Sequence, residues 1–189
     1  IRSVDIFTGG FGAVYGGRIS SIMDISSKDG NKKQFSGKAS ISPFGSKLMV
    51  EGPLKKLSDD GGASISYVFS GKTSYLEQSS KFLYSYIDSA GLPFNFTDLY
   101  GKVSVNGENG SKVNFFGFNY NDQVRYKAVS DLNWDAWGAG TNFMVLPSSS
   151  PVLIMGKFNI SDYQISLAEN DPNSGEQMPP RSSKINGFN

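Results

Sequence analysis

The amino-acid sequence predicts an all-β protein. From residue 35 onward, apolar and polar residues alternate with a period of two, the pattern of strands whose two faces meet different environments. Clusters of glycine, proline, serine and asparagine separate these segments, as turns separate strands. No stretch approaches the roughly 20 consecutive apolar residues that a membrane-spanning helix requires.

The first part of the chain contains two short predicted strands around a glycine-rich turn. Residues 1–7 and residues 19–26 both alternate, and residues 9–17 between them are dense in glycine, which permits positive φ and close backbone approach. Turn residues end the second strand and begin a polar linker, residues 29–34.

About eight further strands are predicted after this linker. Residues 77–96 break the alternation and are expected to form a long loop with a short helix. A change of parity predicts a β-bulge near Asp162. The predicted strands are residues 36–42, 46–54, 62–76, 97–106, 112–122, 132–146, 152–167 and the segment starting at 185.

The connections between these strands are expected to alternate in length. They are short near residues 53–61, 107 and 147, and long at residues 77–96 and 169–183, with residues 123–130 forming another connection between the long ones. Several predicted strands also reach the roughly 9–11 residues that cross a bilayer. Short turns at one end and long loops at the other are typical of an outer-membrane β-barrel.

Composition argues against several functional classes. A formal net charge of +1 is too small for a nucleic-acid-binding protein. The chain has no histidine and no cysteine, and we find no nucleophile motif or paired carboxylates, so we predict that it is not an enzyme and uses no cofactor. Asp59–Asp60 lacks the spacing of a calcium loop and is interpreted as a solvated turn. Without an initiator methionine or a signal peptide, the chain is expected to be an internal piece of a longer protein.

The glycine-rich stretch is compatible in part with a protein-kinase phosphate loop. The sequence F-G-A-V-Y around Gly12 and Val14 fits part of G-x-G-x-x-G-x-V, but Phe7 replaces the first glycine. The lysine context, the catalytic loop with its histidine, and the D-F-G motif are all missing from the sequence. We therefore reject the kinase interpretation.

A second resemblance covers more of the chain. Residues 11–28, F-G-A-V-Y-G-G-R-I-S-S-I-M-D-I-S-S-K, resemble the end of the plug domain of TonB-dependent outer-membrane receptors. Residues 46–53, S-K-L-M-V-E-G-P, and the strand ending in S-Y-L at residues 74–76 resemble the first barrel hairpins of that family's nutrient-importing branch, which carries a carboxypeptidase-like regulatory domain.

This resemblance implies an all-β chain of two parts: the C-terminal part of a plug domain over residues 1–30, and the N-terminal antiparallel strands of a transmembrane barrel over residues 31–189. It implies import of nutrients or metal chelates across the bacterial outer membrane. The implied partners are outer-membrane lipid, TonB through a region outside this chain, a surface lipoprotein that hands over substrate, and a small-molecule, oligosaccharide or peptide substrate.

The resemblance also implies a structural or gating motif in the plug. Its members are Gly9, Gly10, Tyr15, Gly16, Gly17 and Arg18. In such receptors a plug arginine pairs with acidic groups of the barrel wall, which is the role implied for Arg18; a solvent-facing arginine at a turn is the alternative.

The same interpretation assigns side chains to the two faces of the barrel wall. Val103→Arg on the lipid face is expected to cost about 2–4 kcal/mol, whereas Ser104→Arg in the lumen is expected to be tolerated. The expected lipid-facing aromatic residues are Tyr67, Phe69, Phe118, Tyr120, Trp137 and Phe143. The expected lumen residues are Ser64, Ser66, Lys102, Ser104, Asn106, Asn119 and Asn142.

Alternating strands also suit a protein of another class. A soluble or surface-attached β-sandwich could bind carbohydrate or a partner protein through Trp134, Trp137 and the tyrosines of residues 75–86. That alternative predicts two stacked sheets that bury Ile65, Tyr67 and Phe69 between them.

Overall fold

A computed structural model of the chain describes residues 1–12, 15, 20–59, 61–83, 86, 92–126, 130–148, 151–170 and 178–188. The described chain is all-β with one short helix, as predicted. Its elements are β1 (Ser3–Thr8), β2 (Ser21–Ser26), β3 (Ser36–Ser42), β4 (Gly45–Lys55), β5 (Ser64–Ser74), α1 (Leu76–Leu83), β6 (Phe94–Asn106), β7 (Lys112–Tyr126), β8 (Ser130–Val145), β9 (Ile154–Glu169) and β10 (Arg181–Phe188).

The strands form two separate sheets. β1 and β2 pair antiparallel with each other, from Ser3 opposite Ser26 to Thr8 opposite Ser21. β3 to β10 form an eight-stranded antiparallel sheet in which every strand pairs with its neighbours in sequence. The described pairings leave β3 and β10 at the two ends of this sheet. The described strands therefore form one continuous sheet and one small hairpin, not the two stacked sheets of a sandwich.

Pairing fixes which side chains share a face of the large sheet. Residues directly opposite each other on antiparallel strands point to the same side. We call one side the polar face, defined by Ser64, Ser66, Lys102, Ser104, Asn114 and Asn142. We call the other side the apolar face, defined by Ile65, Tyr67, Phe69, Val103, Phe115, Trp137, Phe143 and Phe158.

Burial in the large sheet is concentrated on the polar face. Ser64, Ser66 and Ser104 of the polar face are 0% exposed, and Val68 is the single buried hydrophobic residue among those described. On the apolar face, Phe115 is 53% exposed and Phe158 is 57% exposed. An exposed apolar surface that spans several strands is typical of an interaction surface.

The structure corrects three face assignments in β7. Phe118 pairs with Tyr100 and Tyr120 pairs with Asp98, which places both rings on the polar face, whereas Asn119 pairs with Leu99 on the apolar face. The prediction was wrong because β7 carries aromatic residues at both parities, so its own pattern does not fix its phase. Tyr67, Phe69, Trp137 and Phe143 lie on the apolar face as predicted.

The predicted bulge near Asp162 was also wrong. β9 pairs with β8 in one continuous register through Asp162, and β9 pairs with β10 without a shift, so there is no bulge at this position. The change of parity reflects apolar residues that change face along the strand. The register shift in β4 instead lies between Pro53 and Lys55, where proline cannot donate to the ladder.

The connections follow the predicted rhythm only in part. Residues 75–93, with α1, and residues 170–180 are long connections, as predicted. However, β7 extends to Tyr126 and β8 begins at Ser130, so most of residues 123–130 are strand. The described part of the chain contains no helix long and apolar enough to cross a membrane.

Candidate functional site

The candidate site is the place where the polar linker lies on the polar face. The chain leaves β2 at Ser26 and crosses the large sheet before β3 begins at Ser36. We call residues 27–31 the docking segment. Its first residue, Ser27, accepts hydrogen bonds from two residues of β6. The Tyr100 hydroxyl donates to Ser27 Oγ at 2.6 Å, and Lys102 Nζ donates to the Ser27 carbonyl at 3.2 Å.

Asp29 is the centre of the site. Its carboxylate lies 2.9 Å from Lys102 Nζ and 2.5 Å from Lys112 Nζ, and it accepts a hydrogen bond of 3.1 Å from Ser104 Oγ. The Lys102 side chain is only 7% exposed and that of Asp29 is 16% exposed. One linker residue thus ties together two neighbouring strands, β6 and β7.

The pKa of Asp29 reflects these contacts. Desolvation alone raises the pKa of a carboxyl group, but hydrogen bonds from Lys112 and Lys102, together with their charges, lower the pKa of Asp29 to about 2. The carboxylate is therefore ionised at neutral pH and makes charge-assisted hydrogen bonds, which are stronger than neutral ones.

Lys28 makes a second charged contact, with β4. Its ammonium group lies 2.8 Å from Glu51 Oε1, and the Glu51 side chain is 11% exposed. Adjacent residues of the docking segment therefore carry opposite charges, and each meets its counter-charge on a different strand. The segment can satisfy both pairs in one placement, which fixes its position along the sheet.

Gly30 makes this close approach possible. It is buried, and a Cβ built on it would lie 1.9 Å from the Tyr67 carbonyl oxygen. The main chain of the docking segment thus lies directly on the main chain of β5. Any side chain at this position would push the segment away from the sheet.

The chain then turns towards β3 at the edge of the site. Asn31 Oδ1 accepts hydrogen bonds from the amides of Lys33 and Gln34, an Asx-type turn. The Leu57 amide donates to the Lys32 carbonyl at 3.0 Å, which joins the linker to the β4–β5 connection.

The predicted plug motif is described only in part. Gly9 has a φ of +83°, as a glycine-rich turn requires, and a Cβ on Gly10 would meet no atom within 4 Å. The Tyr15 hydroxyl donates to Asp24 Oδ2 at 2.8 Å, and this hydrogen bond to a carboxylate raises the pKa of Tyr15. Gly16, Gly17 and Arg18 lie outside the described residues, so the role of Arg18 stays a prediction.

Beyond the docking site, the polar face carries an aromatic surface. The rings of Phe118 and Tyr120 stack with centroids 4.9 Å apart, and Lys72 Nζ lies 4.2 Å from the ring centroid of Phe96. A Cβ on Gly138 would lie 2.6 Å from the Phe118 ring, so glycine at this position gives the ring its room.

The residues of the alternative binding site do not come together. Trp134 pairs with Asp122 on the polar face, whereas Trp137 pairs with Asn119 on the apolar face. Tyr75 donates its hydroxyl to the Gly45 carbonyl at 3.3 Å, and Tyr84 lies outside the described residues. One ligand could not contact both tryptophans, because the sheet separates them.

Sequence reasoning missed the docking segment and its partners as a site. Residues 29–34 were predicted only as a polar linker, and Asp29 contacts Lys112 across 83 positions of sequence. One signal was present. Lys102 stands among serines on a strand, and a lysine that becomes buried requires a nearby carboxylate.

The docking site also contradicts the prediction that Ser104→Arg would be tolerated. Ser104 is fully buried and hydrogen-bonded to Asp29, so an arginine at this position would collide with the docking segment instead of extending into open lumen.

No protein-family profile, curated protein or solved structure matched this chain.

Proposed function

We propose that this chain is part of a TonB-dependent importer of the bacterial outer membrane. In this proposal, β3 to β10 form part of the wall of a transmembrane barrel, and β1 and β2 belong to the end of the plug. The observation that carries the proposal is the sheet with an exposed apolar face and a polar face on which the docking segment lies.

The exposed apolar face supports contact with lipid. Its exposed residues include Phe115, Phe158 and Ile160, at 53%, 57% and 46% exposure. In water they would leave a continuous apolar surface in contact with solvent. Each square ångström of apolar surface removed from water is worth about 25 cal/mol. A bilayer supplies that environment, while every strand within it satisfies its backbone by pairing on both sides. The proposal therefore requires further strands to pair with β3 and β10.

The polar face supports a lumen that holds a plug. Its charged and hydroxyl groups bind the linker through ion pairs and hydrogen bonds. A polar interface separates more readily in water than an apolar one, because water molecules can replace each hydrogen bond that is broken. Transport would then proceed by rearrangement of residues 1–30 when TonB pulls, with no chemistry on the substrate.

The substrate would pass over the aromatic surface beyond the docking site. Phe118, Tyr120 and Trp134 offer rings for stacking, and Asp122 lies beside Trp134 across the β7–β8 pair. These groups would contact substrate from the wall side, while the long connections would contact it from outside.

The test compares two gene disruptions in the native host, one of the gene that encodes this chain and one of tonB. Growth is measured on a panel of sole nutrients: oligosaccharides, peptides, ferric chelates and cobalamin. We expect both strains to lose growth on the same nutrient, and we expect the protein to stay with outer membranes after carbonate extraction. Recovery of the protein in the soluble fraction, or a nutrient defect in this strain that tonB disruption does not reproduce, would contradict the proposal.

A further inference from the structure

The surface beneath the docking segment contains polar atoms that have no partner. Among the described residues, these atoms are Ser64 Oγ, Ser66 Oγ, Asn106 Nδ2 and Asn114 Oδ1. They form one patch, because Ser64 pairs with Asn106, Ser66 pairs with Ser104, and Ser104 pairs with Asn114. Ser104, at the centre of this patch, is the residue that donates to Asp29.

The docking segment lies over this patch. Asp29 lies over Ser104, Gly30 contacts the Tyr67 backbone next to Ser66, and the Lys32 carbonyl reaches the Leu57 amide beyond β5. The chain between these points crosses the strand that carries Ser64 and Ser66, and both serines are 0% exposed. Docking therefore takes the hydroxyl groups out of water without giving them hydrogen bonds.

Two opposing effects meet at the same site. The ion pairs of Lys28 and Asp29 hold the segment on the sheet. Each buried polar atom without a partner opposes docking and shifts the equilibrium towards release by roughly five- to a hundred-fold, because that atom regains its hydrogen bond to water when the segment leaves. A fully satisfied or apolar interface would have no such opposing effect.

We propose that the docking segment is a built-in release point, in which unpaired buried polar atoms of β5, β6 and β7 keep the docked state only moderately more stable than an undocked, hydrated state. Charge specifies where the segment binds, and the unpaired atoms make the contact reversible. A pull on residues 1–26 would break three ion pairs and let water reach four polar groups. The link between this release and transport rests on the proposed function, but the release itself does not.

The test measures amide hydrogen exchange of residues 27–34 in the whole native protein that contains this chain, purified from its host in the medium in which it stays folded. The variants are Ser64→Ala, Ser66→Ala and the double variant. Alanine removes the desolvated hydroxyl groups, and any change in strand propensity acts equally on docked and undocked states. We expect each single variant to slow exchange of residues 27–34 by about fivefold, and the double variant to slow it further.

Matched controls identify the origin of the effect. Ser40→Ala and Ser161→Ala change exposed serines on the polar face away from the docking segment, and they should leave exchange of residues 27–34 unchanged. Asp29→Asn should accelerate this exchange by at least about tenfold, because it removes the charge that holds the segment. Exchange in β8 and β9 should stay constant in every variant, which reports an intact sheet.

Two results would overturn the proposal. Faster exchange of residues 27–34 in Ser64→Ala and Ser66→Ala would mean that the hydroxyl groups stabilise the docked state. Unchanged exchange in both variants, with faster exchange in Asp29→Asn, would mean that the unpaired atoms do not oppose docking. The measurement needs no transport, so a missing nutrient phenotype would reject the proposed function and leave the release point standing.

Discussion

The two faces of the large sheet bury opposite kinds of residue. On the polar face, Ser64, Ser66 and Ser104 are completely buried and Lys102 is nearly so, whereas phenylalanine and isoleucine are exposed on the apolar face. In a water-soluble sheet the apolar side would be covered and the serines would be wet. The difference teaches that the polar face is the one that receives another part of the chain, whereas the apolar face stays uncovered in the described structure, as the proposed contact with lipid requires.

The largest expected effect tests whether the docking segment truly lies on β5. Gly30→Ala places a Cβ 1.9 Å from the Tyr67 carbonyl oxygen, and we expect it to cost at least about 3 kcal/mol of docking free energy. The chain has no native cysteine, so bimane attached to a Lys32→Cys variant reports docking by its fluorescence. Gly10→Ala is the control, because its Cβ would meet no atom within 4 Å. Native fluorescence in the Gly30→Ala variant would show that the close approach does not exist.

The second-largest expected effect compares one substitution on each face of β9. Phe158→Arg on the apolar face should cost about 2–4 kcal/mol in lipid, because an arginine there must leave water for the bilayer. Ser161→Arg on the polar face of the same strand should cost less than about 0.5 kcal/mol. Urea unfolding in lipid vesicles measures both. Equal destabilisation by the two substitutions would remove the distinction between the faces.

A smaller effect compares a buried with an exposed ion pair on the polar face. The Lys102 side chain is only 7% exposed, and Lys102→Met removes one of the two ammonium groups that contact Asp29. We expect this substitution to weaken docking by about 2 kcal/mol. Lys72→Met removes a pair with Asp98 of 3.8 Å, in which the lysine is 50% exposed, and should cost less than about 0.5 kcal/mol. The bimane signal compares both variants. A similar loss of docking free energy in both variants would mean that the ion pair of Lys102 with Asp29 contributes no more to docking than an exposed ion pair elsewhere on the polar face.

The smallest effect is on pH dependence. The pKa of Asp29 is about 2 when docked, below the value of about 3.9 in an unfolded chain. Docking should therefore be fully stabilised above about pH 4 and lose about 1–2 kcal/mol as pH falls to 2. The Asp29→Asn variant should show no such transition in bimane fluorescence. A transition near pH 6 would implicate a different group.

Much of the fold is visible in the local pattern. β5 and β6 each place serine or lysine at one parity and branched or aromatic residues at the other, and both faces were predicted correctly there. The short helix α1, within the predicted loop, was also confirmed. These features depend on a few neighbouring residues, so a single sequence contains them.

The features that were missed depend on distant partners. In β7, Phe115 and Phe116 are consecutive, so only pairing with β6 decides which of them faces the apolar side. The hydrogen bond of Asp29 with Ser104 joins residues 75 positions apart. No local period records such a contact, and a polar linker with Asp-Gly reads as a simple turn.

The most direct test of the account uses the two native tryptophans, which pairing places on opposite faces. Trp134→Phe leaves only Trp137, and Trp137→Phe leaves only Trp134. In vesicles with brominated acyl chains, we predict strong quenching of Trp137 by the lipid and little quenching of Trp134, which should be quenched by aqueous acrylamide instead. Equal access of acrylamide to both tryptophans, with no quenching by the brominated lipid, would contradict a wall that faces lipid on one side only.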